Sequence, residues 1–440
     1  MTGARGAALQ ALERCRKDGA WVSAVMDGVI KKEKLDRREA SLATALALGV
    51  LQNRDYFDYL ISCFCTTAPE KLEKSVLDIL RIGVCQLVML DRIPERAAVN
   101  ETVALCMEAR VPRAASLVNA VLRRIAEKRD DLPEVPDKGT AAYLATRYSH
   151  PLWLAGKLIL EKGYAFTEEL FAADNAAAPL DIQVNTLRIS AAEYARMLSE
   201  ASIPCIVPEY PYGCLSLAGG AVTDLPGFDD GLFYVQDRAA RMAVSVAGLA
   251  EGMKVLDACA APGGKSFAAA LEMDGQGELV SCDIHENKLA SIRQSASRLG
   301  IGIIRTERHD AREYAPEYEE YFDAVIADVP CSGMGVIRKK PEIRGKREED
   351  LGSLPAIQSA IVENLSRYVR PGGVLLYCTC TILRQENEDV IERFLSSHDE
   401  FVSCDFSVGE RSSSKGCYTF YPHVDGTDGF FVSKLKRKES

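Results

Sequence analysis

Two cysteines stand in short polar segments where a thiol is able to act as a nucleophile. Cys331 lies within Asp328-Val-Pro-Cys-Ser-Gly-Met-Gly335, and Cys380 lies within Tyr377-Cys-Thr-Cys-Thr381. Proline and glycines surround the first thiol and polar residues flank the second, as in exposed loops. A thiolate that attacks a substrate carbon divides one difficult step into two easier ones. The alternative interpretation is that both are buried structural cysteines.

The segments before these cysteines predict the strands that position them. From about Val235, short apolar runs alternate with helical patterns, which is typical of βαβ units and a parallel sheet. The predicted strands are Val255–Asp257, Leu279–Asp283, Ile303–Thr306, Phe322–Asp328 and Val374–Cys378. Ligands on such sheets bind at the carboxyl ends of the strands. The two thiols follow the fourth and fifth strands, so we expect them to face one crevice.

The first predicted strand runs into a loop that suits a nucleoside cofactor. Asp257-Ala-Cys-Ala-Ala-Pro-Gly-Gly-Lys265 opens a helix, where small residues admit a ligand and the helix terminus offers free N–H groups. The segment matches neither the dinucleotide fingerprint nor the phosphate-binding P-loop. We therefore expect a cofactor that carries a carboxylate and a nucleoside.

Acidic residues follow the next two strands as well. Asp283 ends the second strand, where a carboxylate typically accepts the ribose hydroxyls of a nucleoside. Asp310 follows the third strand, within reach of an adenine amino group. Each of these acids is individually also consistent with a helix N-cap. Several acids at successive strand ends favour the cofactor site.

Composition and charge divide the chain. Residues 1–130 read as a helical bundle with 21 basic and 17 acidic residues, whereas the remainder has 32 basic and 46 acidic residues. The N-terminal part is thus the better candidate for contact with RNA phosphates, although a solvated mixed-charge surface would look the same. We predict four segments: a helical domain at 1–130, a linker at 131–140, a small α+β RNA-recognition region at 141–234, and a catalytic domain at 235–440.

Other features exclude several classes of protein. The chain has no apolar run of about 20 residues and no secretory signal, so we expect a cytoplasmic protein that does not enter a membrane. The 14 cysteines are scattered and the five histidines are dispersed, so we expect no metal site. We also expect a monomer.

The motifs together resemble those of RNA (cytosine-C5) methyltransferases. Asp328-Val-Pro-Cys-Ser-Gly resembles the Asp-x-Pro-Cys-Ser-Gly motif of these enzymes, and Tyr377-Cys-Thr-Cys380-Thr resembles their Thr-Cys-Ser segment, with Thr381 in place of the usual serine. Their S-adenosyl-L-methionine loop is similar to the run formed by Cys259, Ala260, Ala261, Pro262, Gly263, Gly264 and Lys265.

Further segments resemble the RsmB (Sun/Fmu) branch, whose substrate is 16S ribosomal RNA. They are Arg81–Leu87, Ala97–Val103, Val118–Arg124, Val184–Arg188, Val235–Asp237 and Asp425–Phe431. The resemblance implies a NusB-like all-α domain followed by a Rossmann-like α/β methyltransferase domain, whose mostly parallel sheet has an antiparallel final strand.

The resemblance also implies the roles of individual residues. Cys380 is the nucleophile that attacks carbon 6 of cytosine, Cys331 assists release, and Asp328 contacts the base, carries a proton and borders the cofactor. DNA cytosine methyltransferases attack with the Pro-Cys cysteine, so Cys331 is the rival nucleophile. We place Asn185 and Arg188 near the RNA strand. Methylation of transfer RNA by the same chemistry and a non-catalytic RNA-binding factor are the alternative functions.

Overall fold

The computed structural model describes residues 3–439, and helices fill the first third of them. The chain separates into two compact units. Residues up to Ala176 and the segment Ile337–Glu348 form the helical unit, while Ala177–Val336 and the chain from Glu349 onward form the sheet unit. No helix within residues 3–439 is both long and apolar enough to cross a bilayer.

Ten helices make up most of the helical unit. They are α1 Ala4–Asp18, α2 Val22–Glu33, α3 Arg37–Gln52, α4 Arg54–Phe64, α5 Lys74–Met89, α6 Glu95–Glu108, α7 Ala115–Glu127, α8 Ala141–Tyr148, α9 Leu152–Lys162 and α10 Tyr164–Asn175. Helix α5 lies at the centre because Leu80, Val84 and Leu87 recur on one face and are buried. The Asp36 side chain accepts the Glu39 N–H at 2.9 Å and caps α3. The predicted all-helical character of the N-terminal domain is confirmed.

The compact units divide the chain at positions other than those of the predicted segments. Helices α8–α10 belong to the helical unit rather than to a separate α+β region. The Ser149 hydroxyl, which follows α8, accepts the backbone N–H of Asp55 and of Tyr56 at 3.1 Å, at the start of α4. The roles assigned to the four segments remain predictions.

The segment Ile337–Glu348 joins the helical unit although it follows the Cys331 loop directly in sequence. The buried Arg344 guanidinium donates to the Tyr148 carbonyl at 3.0 Å, to the Asn175 side-chain oxygen at 2.6 Å, and to the Gln52 carbonyl. The Lys346 carbonyl accepts the indole N–H of Trp153 at 3.0 Å. Carbonyl acceptors from distant helices thus fix this segment.

The sheet unit holds two main sheets. Its strands are β1 Leu180–Val184, β2 Cys205–Ile206, β3 Cys214–Leu217, β4 Phe233–Val235, β5 Lys254–Asp257, β6 Glu278–Asp283, β7 Ile304–Arg308, β8 Phe322–Asp328, β9 Val369–Thr379, β10 Phe401–Ser403, β11 Ser407–Val408, β12 Arg411–Ser412, β13 Cys417–Phe420 and β14 Phe430–Arg437. Its helices are α11 Ala191–Glu200, α12 Arg238–Ser245, α13 Gly264–Glu272, α14 Glu286–Leu299, α15 Leu354–Ser366, α16 Glu388–Leu395 and α17 Pro422–Asp425. The smaller sheet is antiparallel, in the order β2-β3-β1-β4.

The larger sheet confirms the predicted fold. Its strand order is β10-β14-β9-β8-β5-β6-β7, with β13 beside β14. Strands β5 to β9 pair in parallel, whereas β14 pairs antiparallel with β9. Most central residues of β5, β6 and β8 are apolar and buried on both faces, as expected where helices cover a parallel sheet. The carboxyl ends of β5, β6, β8 and β9 therefore lie along one edge.

Candidate active site

The two predicted thiols lie side by side. The Cys331 and Cys380 sulfurs are 3.2 Å apart, and both residues are free cysteines. A disulfide would bring the sulfurs to about 2.05 Å, so the observed separation is that of a thiol hydrogen bond. Cys331 follows β8 and Cys380 follows β9, and these strands are parallel neighbours. Sheet topology thus brings together two cysteines that are 49 residues apart in sequence.

Backbone hydrogen bonds hold the two cysteine loops against each other. The Val329 N–H donates to the Cys378 carbonyl at 3.1 Å, and the Gly335 N–H donates to the Cys380 carbonyl at 3.0 Å. The Gly335 carbonyl accepts the Gly429 N–H at 2.7 Å. A Cβ atom at Gly335 would collide with the Gly429 backbone, so this approach requires glycine.

A buried carboxylate joins the same two loops. Glu386 is fully buried and accepts the Ser332 N–H at 2.8 Å, the Gln358 amide at 3.0 Å and the Thr381 hydroxyl at 3.4 Å. Ser332 directly follows Cys331, and Thr381 directly follows Cys380. Their hydroxyls share a further hydrogen bond of 2.8 Å. Sequence reasoning assigned no role to Glu386.

An ion pair borders the thiols. Lys265 Nζ lies 2.6 Å from Asp328 Oδ2, and the lysine side chain is nearly buried. Burial opposes the lysine charge, but Asp328 outweighs that effect and the pKa of Lys265 ends above its ordinary value of 10.5. The carboxylate at the end of β8 therefore faces a permanent cation. The proton-carrying role of Asp328 remains a prediction.

Three thiols of this crevice have raised pKa values, whereas a reactive cysteine needs a lowered one. The hydrogen bond to Cys380, followed by burial, raises the pKa of Cys331 well above its ordinary value. Burial raises the pKa of Cys259 and of Cys378 as well. These three side chains are therefore held as thiols at neutral pH.

A cavity of about 410 Å³ opens at the ends of β5, β6 and β8. Its lining combines the predicted cofactor residues with apolar side chains from α15. The lining residues are Ala258, Cys259, Ala261, Asp283, Ile284, His285, Lys288, His309, Asp310, Ala311, Arg312, Asp328, Pro330, Ile357 and Ile361. Sequence reasoning missed the apolar walls, because Ile357 and Ile361 lie on a helix that carries no motif.

The carboxylates and apolar walls of this cavity fit a nucleoside. Asp283 Oδ1 accepts the His285 N–H at 2.9 Å, which orients the carboxylate at the end of β6. Asp310 is held by Arg312 through two side-chain contacts of 3.0 and 2.6 Å. Ile284 is 46% exposed at the rim, where an apolar side chain is suited to cover a flat ring. Carboxylates and apolar walls are the combination that a ribose and an adenine need.

Different residues of the loop from Cys259 to Lys265 line the cavity and form the turn into α13. Cys259 and Ala261 line the cavity, while Ala260 is buried and donates its N–H to the Cys282 carbonyl at 2.7 Å. Pro262, Gly263 and Gly264 form the turn into α13. Gly263 has φ of +108°, and a Cβ there would meet the Phe267 ring. These residues shape the loop that borders the cavity.

The structure corrects one predicted RNA contact. Asn185 is fully buried, and its side-chain amide donates to the Gly231 carbonyl at 2.9 Å and the Leu299 carbonyl at 2.8 Å. Both amide hydrogens are thus used in packing the end of β1 against the loop before β4 and the end of α14, and the residue offers no surface to RNA. Arg188 is exposed and donates to the Asp230 carbonyl, so its contact with RNA remains a prediction.

Comparison with known proteins places this site in a family. Residues 245–436 match the family model described as 16S rRNA methyltransferase RsmB/F, residues 2–127 match the NusB family, and residues 150–222 match the ferredoxin-like domain of RsmF/B-like methyltransferases. The probable ribosomal RNA small subunit methyltransferase B of Bacillus subtilis is 33% identical over 99% of both chains. This chain belongs to the ribosomal RNA small subunit methyltransferase B family.

Other members and a solved structure agree over the full length. The probable small subunit methyltransferase B of Synechocystis is 31% identical and covers 99% of this chain and 100% of the relative. The crystal structure of the protein PH0851 is 26% identical, has a TM-score of 0.82 and covers 99% of each chain. As a member of the methyltransferase B family, the chain uses S-adenosyl-L-methionine as its cofactor. Within residues 3–439, no cluster of side chains has the composition of a metal site.

Proposed function

We propose that the protein methylates carbon 5 of a cytosine in 16S ribosomal RNA, with Cys380 as the covalent nucleophile. The thiol pair beside Asp328 and the cofactor cavity carries this proposal. S-Adenosyl-L-methionine supplies an electrophilic methyl group when it is bound. Relatives named for the small ribosomal subunit and the match to the NusB family favour ribosomal RNA as the substrate.

Carbon 5 of cytosine is a poor nucleophile until the aromatic ring is broken. When the Cys380 thiolate forms a bond to carbon 6, electron density moves to carbon 5. Carbon 5 then bonds to the methyl group, as the bond between that group and the sulfonium sulfur breaks and a neutral thioether leaves. A base removes the carbon 5 proton, the carbon–sulfur bond breaks, and Cys380 leaves as a thiolate. Covalent catalysis of this kind replaces one hard step with two easier ones.

The hydrogen bond between the cysteines favours Cys380 as the attacking group. Either sulfur is able to donate in this hydrogen bond. Because the hydrogen bond and burial raise the pKa of Cys331, we assign Cys331 as the donor and Cys380 as the acceptor. A thiol donor 3.2 Å away stabilises negative charge on Cys380. Cys331 is then placed to stabilise the thiolate again when the adduct breaks, which agrees with a role in release.

Asp328 is suited to hold the base through its exocyclic amine. The carboxylate pairs with Lys265 through Oδ2, and its side chain is 28% exposed toward the crevice. A carboxylate accepts hydrogen bonds from an amine, and Oδ1 of Asp328 is not the oxygen that pairs with Lys265. The target base must reach this position from a loop or by flipping out, because a duplex shields carbon 6.

The direct test incubates the full chain with unmodified 16S ribosomal RNA and cofactor labelled in the methyl group, and then maps 5-methylcytosine. We expect one labelled cytosine with the native chain and no product with Cys380→Ala. Cys331→Ala should instead accumulate a covalent protein–RNA complex on a denaturing gel. A transfer RNA transcript serves as the matched substrate control.

Three results would contradict the proposal. Label on another base or another carbon would exclude cytosine C5 chemistry, and preferential labelling of transfer RNA would exclude the ribosomal substrate. Exchange of the two cysteine phenotypes would make Cys331 the nucleophile.

A further inference from the structure

Glu386 is a carboxylate placed where a charge is costly to bury. Its side chain is fully buried, and its three hydrogen-bond donors are the neutral groups of Ser332, Gln358 and Thr381. An unpaired buried carboxylate is unfavourable unless several hydrogen bonds satisfy it. A neutral glutamine would fill the same space at lower cost, so the negative charge itself requires an explanation.

The contacts of Glu386 are asymmetric between the two cysteine loops. Oε2 accepts the backbone N–H of Ser332 at 2.8 Å, on the Cys331 side, and the Gln358 amide at 3.0 Å. Gln358 also donates to the Pro330 carbonyl at 3.0 Å, which ties it to the same loop. On the Cys380 side the contact is longer, at 3.4 Å from Oε1 to the Thr381 hydroxyl. The charge is therefore held more tightly against the Cys331 loop.

A negative charge beside one thiol of a pair determines which sulfur keeps the shared proton. Glu386 is among the groups that raise the pKa of Cys331, after the hydrogen bond to Cys380, burial and the charge of Cys380. Because its shorter hydrogen bond is to the Cys331 loop, a negative charge on Glu386 would disfavour a thiolate at Cys331 more than at Cys380 and leave the proton on Cys331. Without the charge, the two sulfurs would compete more evenly for the proton.

We propose that Glu386 is a positioning residue that fixes the division of labour between the cysteines, keeping Cys331 as the donor and Cys380 as the attacking thiolate. The inference rests on the proposed function for the chemistry that the thiolate performs. It deepens that function, because it explains how two similar thiols 3.2 Å apart acquire different roles. The residue acts through the cysteines and needs no contact with RNA or cofactor.

The test uses Glu386→Gln in the full chain, since glutamine keeps the shape and most hydrogen bonds but removes the charge. Iodoacetamide labelling at neutral pH, resolved by mass spectrometry, measures the ratio of Cys380 to Cys331 modification. We expect this ratio to fall about tenfold, as for a shift of one pKa unit. Covalent capture on 16S RNA that contains 5-fluorocytosine, which cannot lose a carbon 5 proton, should slow by a similar factor.

Glu392→Gln is the matched control. Glu392 lies on α16 with its side chain 60% exposed and pairs with Arg384 at 2.9 Å, away from the thiols. This variant should behave as the native chain in both measurements. The melting temperature of each variant, measured with and without S-adenosyl-L-methionine, verifies the fold.

Two outcomes would overturn the inference. The first is a labelling ratio and a capture rate in Glu386→Gln that remain within about twofold of the native chain. The second is a lower melting temperature with both cysteines equally more reactive, which would make Glu386 a packing residue only. If the native chain is not captured by 5-fluorocytosine RNA, the proposed function fails, while the labelling ratio still reports on Glu386.

Discussion

The ion pair between Lys265 and Asp328 places one cation among several carboxyl groups. Several carboxyl groups lie near the crevice, and burial, the largest effect, raises the pKa of Asp257 to about 7. Without a buried cation, a charged carboxylate at the end of β8 would repel the other carboxylates near the crevice. Lys265 supplies that cation from the first turn of α13. The lysine of the glycine loop thus pairs with the carboxylate at the end of β8 and is not among the residues that line the cavity.

We expect Lys265→Met to lower the free energy of unfolding by about 2–3 kcal/mol, because it leaves Asp328 without its partner in a partly buried site. The value is below that of a fully buried pair, since the Asp328 side chain is 28% exposed. Denaturant unfolding followed by circular dichroism measures the change. In the double variant with Asp328→Asn, the loss should be smaller than the sum of the two single losses.

If the loss of stability in the double variant equalled the sum of the two single losses, Lys265 and Asp328 would not interact. The pH dependence provides a second check. Because the pKa of Lys265 is raised in the folded state, the contribution of the pair is complete below 10.5 and is lost only as pH rises through the folded value. The difference between native and Lys265→Met chains should therefore be constant across neutral pH.

Single residues also mark the limit of what the sequence predicts. Asp283 and Asp328 could be placed, because apolar runs identify strands and parallel strands end at one edge. Asn185 could not be placed, since a polar residue between two apolar segments looks the same whether it faces RNA or donates to buried carbonyls. Glu386 could not be identified either, because its burial arises from the packing of segments that are distant in sequence.

At the scale of elements, the strands were predictable and the path of one connection was not. The five predicted strands correspond to β5–β9 within a few residues, apart from an earlier start of β9. Nothing in the local pattern of Ile337–Glu348 indicates that it belongs to the helical unit. The carbonyls that hold Arg344 come from helix ends far away in sequence, so only the folded chain reveals them.

Helices α8 and α10 enclose a histidine that makes the helical unit sensitive to acid. His150 stacks on Phe171 with a centroid separation of 3.8 Å, and its Nδ1 lies 2.8 Å from the Tyr148 carbonyl. Burial, followed by the charge of Arg344, lowers the pKa of His150 well below 6.5. The folded chain therefore keeps this ring neutral under conditions where an unfolded chain would protonate it.

We expect the helical unit to lose about 1 kcal/mol of stability to His150 between pH 6.5 and about pH 5.5. Below 6.5 the unfolded chain binds a proton that the folded chain excludes, so stability falls as pH falls toward the lowered pKa. Both tryptophans, Trp21 and Trp153, lie in the helical unit, and their fluorescence during denaturant unfolding isolates its transition.

The variant His150→Gln should remove that part of the pH dependence, because its amide can donate to the Tyr148 carbonyl but does not titrate. His398→Gln is the corresponding control, since it makes the same substitution in the sheet unit. Equal slopes of stability against pH for the native chain and His150→Gln would mean that His150 protonates as readily in the folded chain as in the unfolded chain.

At the scale of the whole molecule, charge is distributed in a way that the net value of −10 conceals. An acidic protein that binds RNA must gather its cations on one surface. The helical unit has such a surface, here called the arginine groove, with a volume of about 760 Å³. It is lined by Arg37, Arg38, Ser41, Leu42, Ala45, Met89, Leu90, Asp91, Arg92 and Ile93.

The arginine groove combines exposed cations with an apolar floor. Its three arginines, Arg37, Arg38 and Arg92, are exposed, and within residues 3–439 they form no ion pair. Asp91 instead forms an ion pair with Arg129 at 2.8 Å. Met89 is 40% exposed on the floor. Guanidinium groups bind phosphates, and an apolar floor suits the face of an unpaired base. We therefore expect single-stranded RNA to bind here.

Reversing two of these charges should weaken RNA binding without affecting the chemistry. For Arg37→Glu with Arg92→Glu, we expect the dissociation constant for 16S RNA to rise about tenfold and the slope of log affinity against log salt to fall by about 1.5, because two phosphate contacts are lost. Turnover at saturating RNA should be unchanged, since the groove contributes no group to the cysteine site. Filter binding over a salt series and methyl incorporation provide the two measurements.

The decisive comparison is with Arg14→Glu and Lys17→Glu on α1, which change the net charge equally but lie outside the groove. Long-range attraction alone would make the two double variants equally weak, and the salt slopes would then coincide. A larger effect at the groove would instead identify local phosphate contacts. Such contacts would explain how a chain with a net charge of −10 retains a polyanion, because the helical unit would bind the phosphates of the flanking strand.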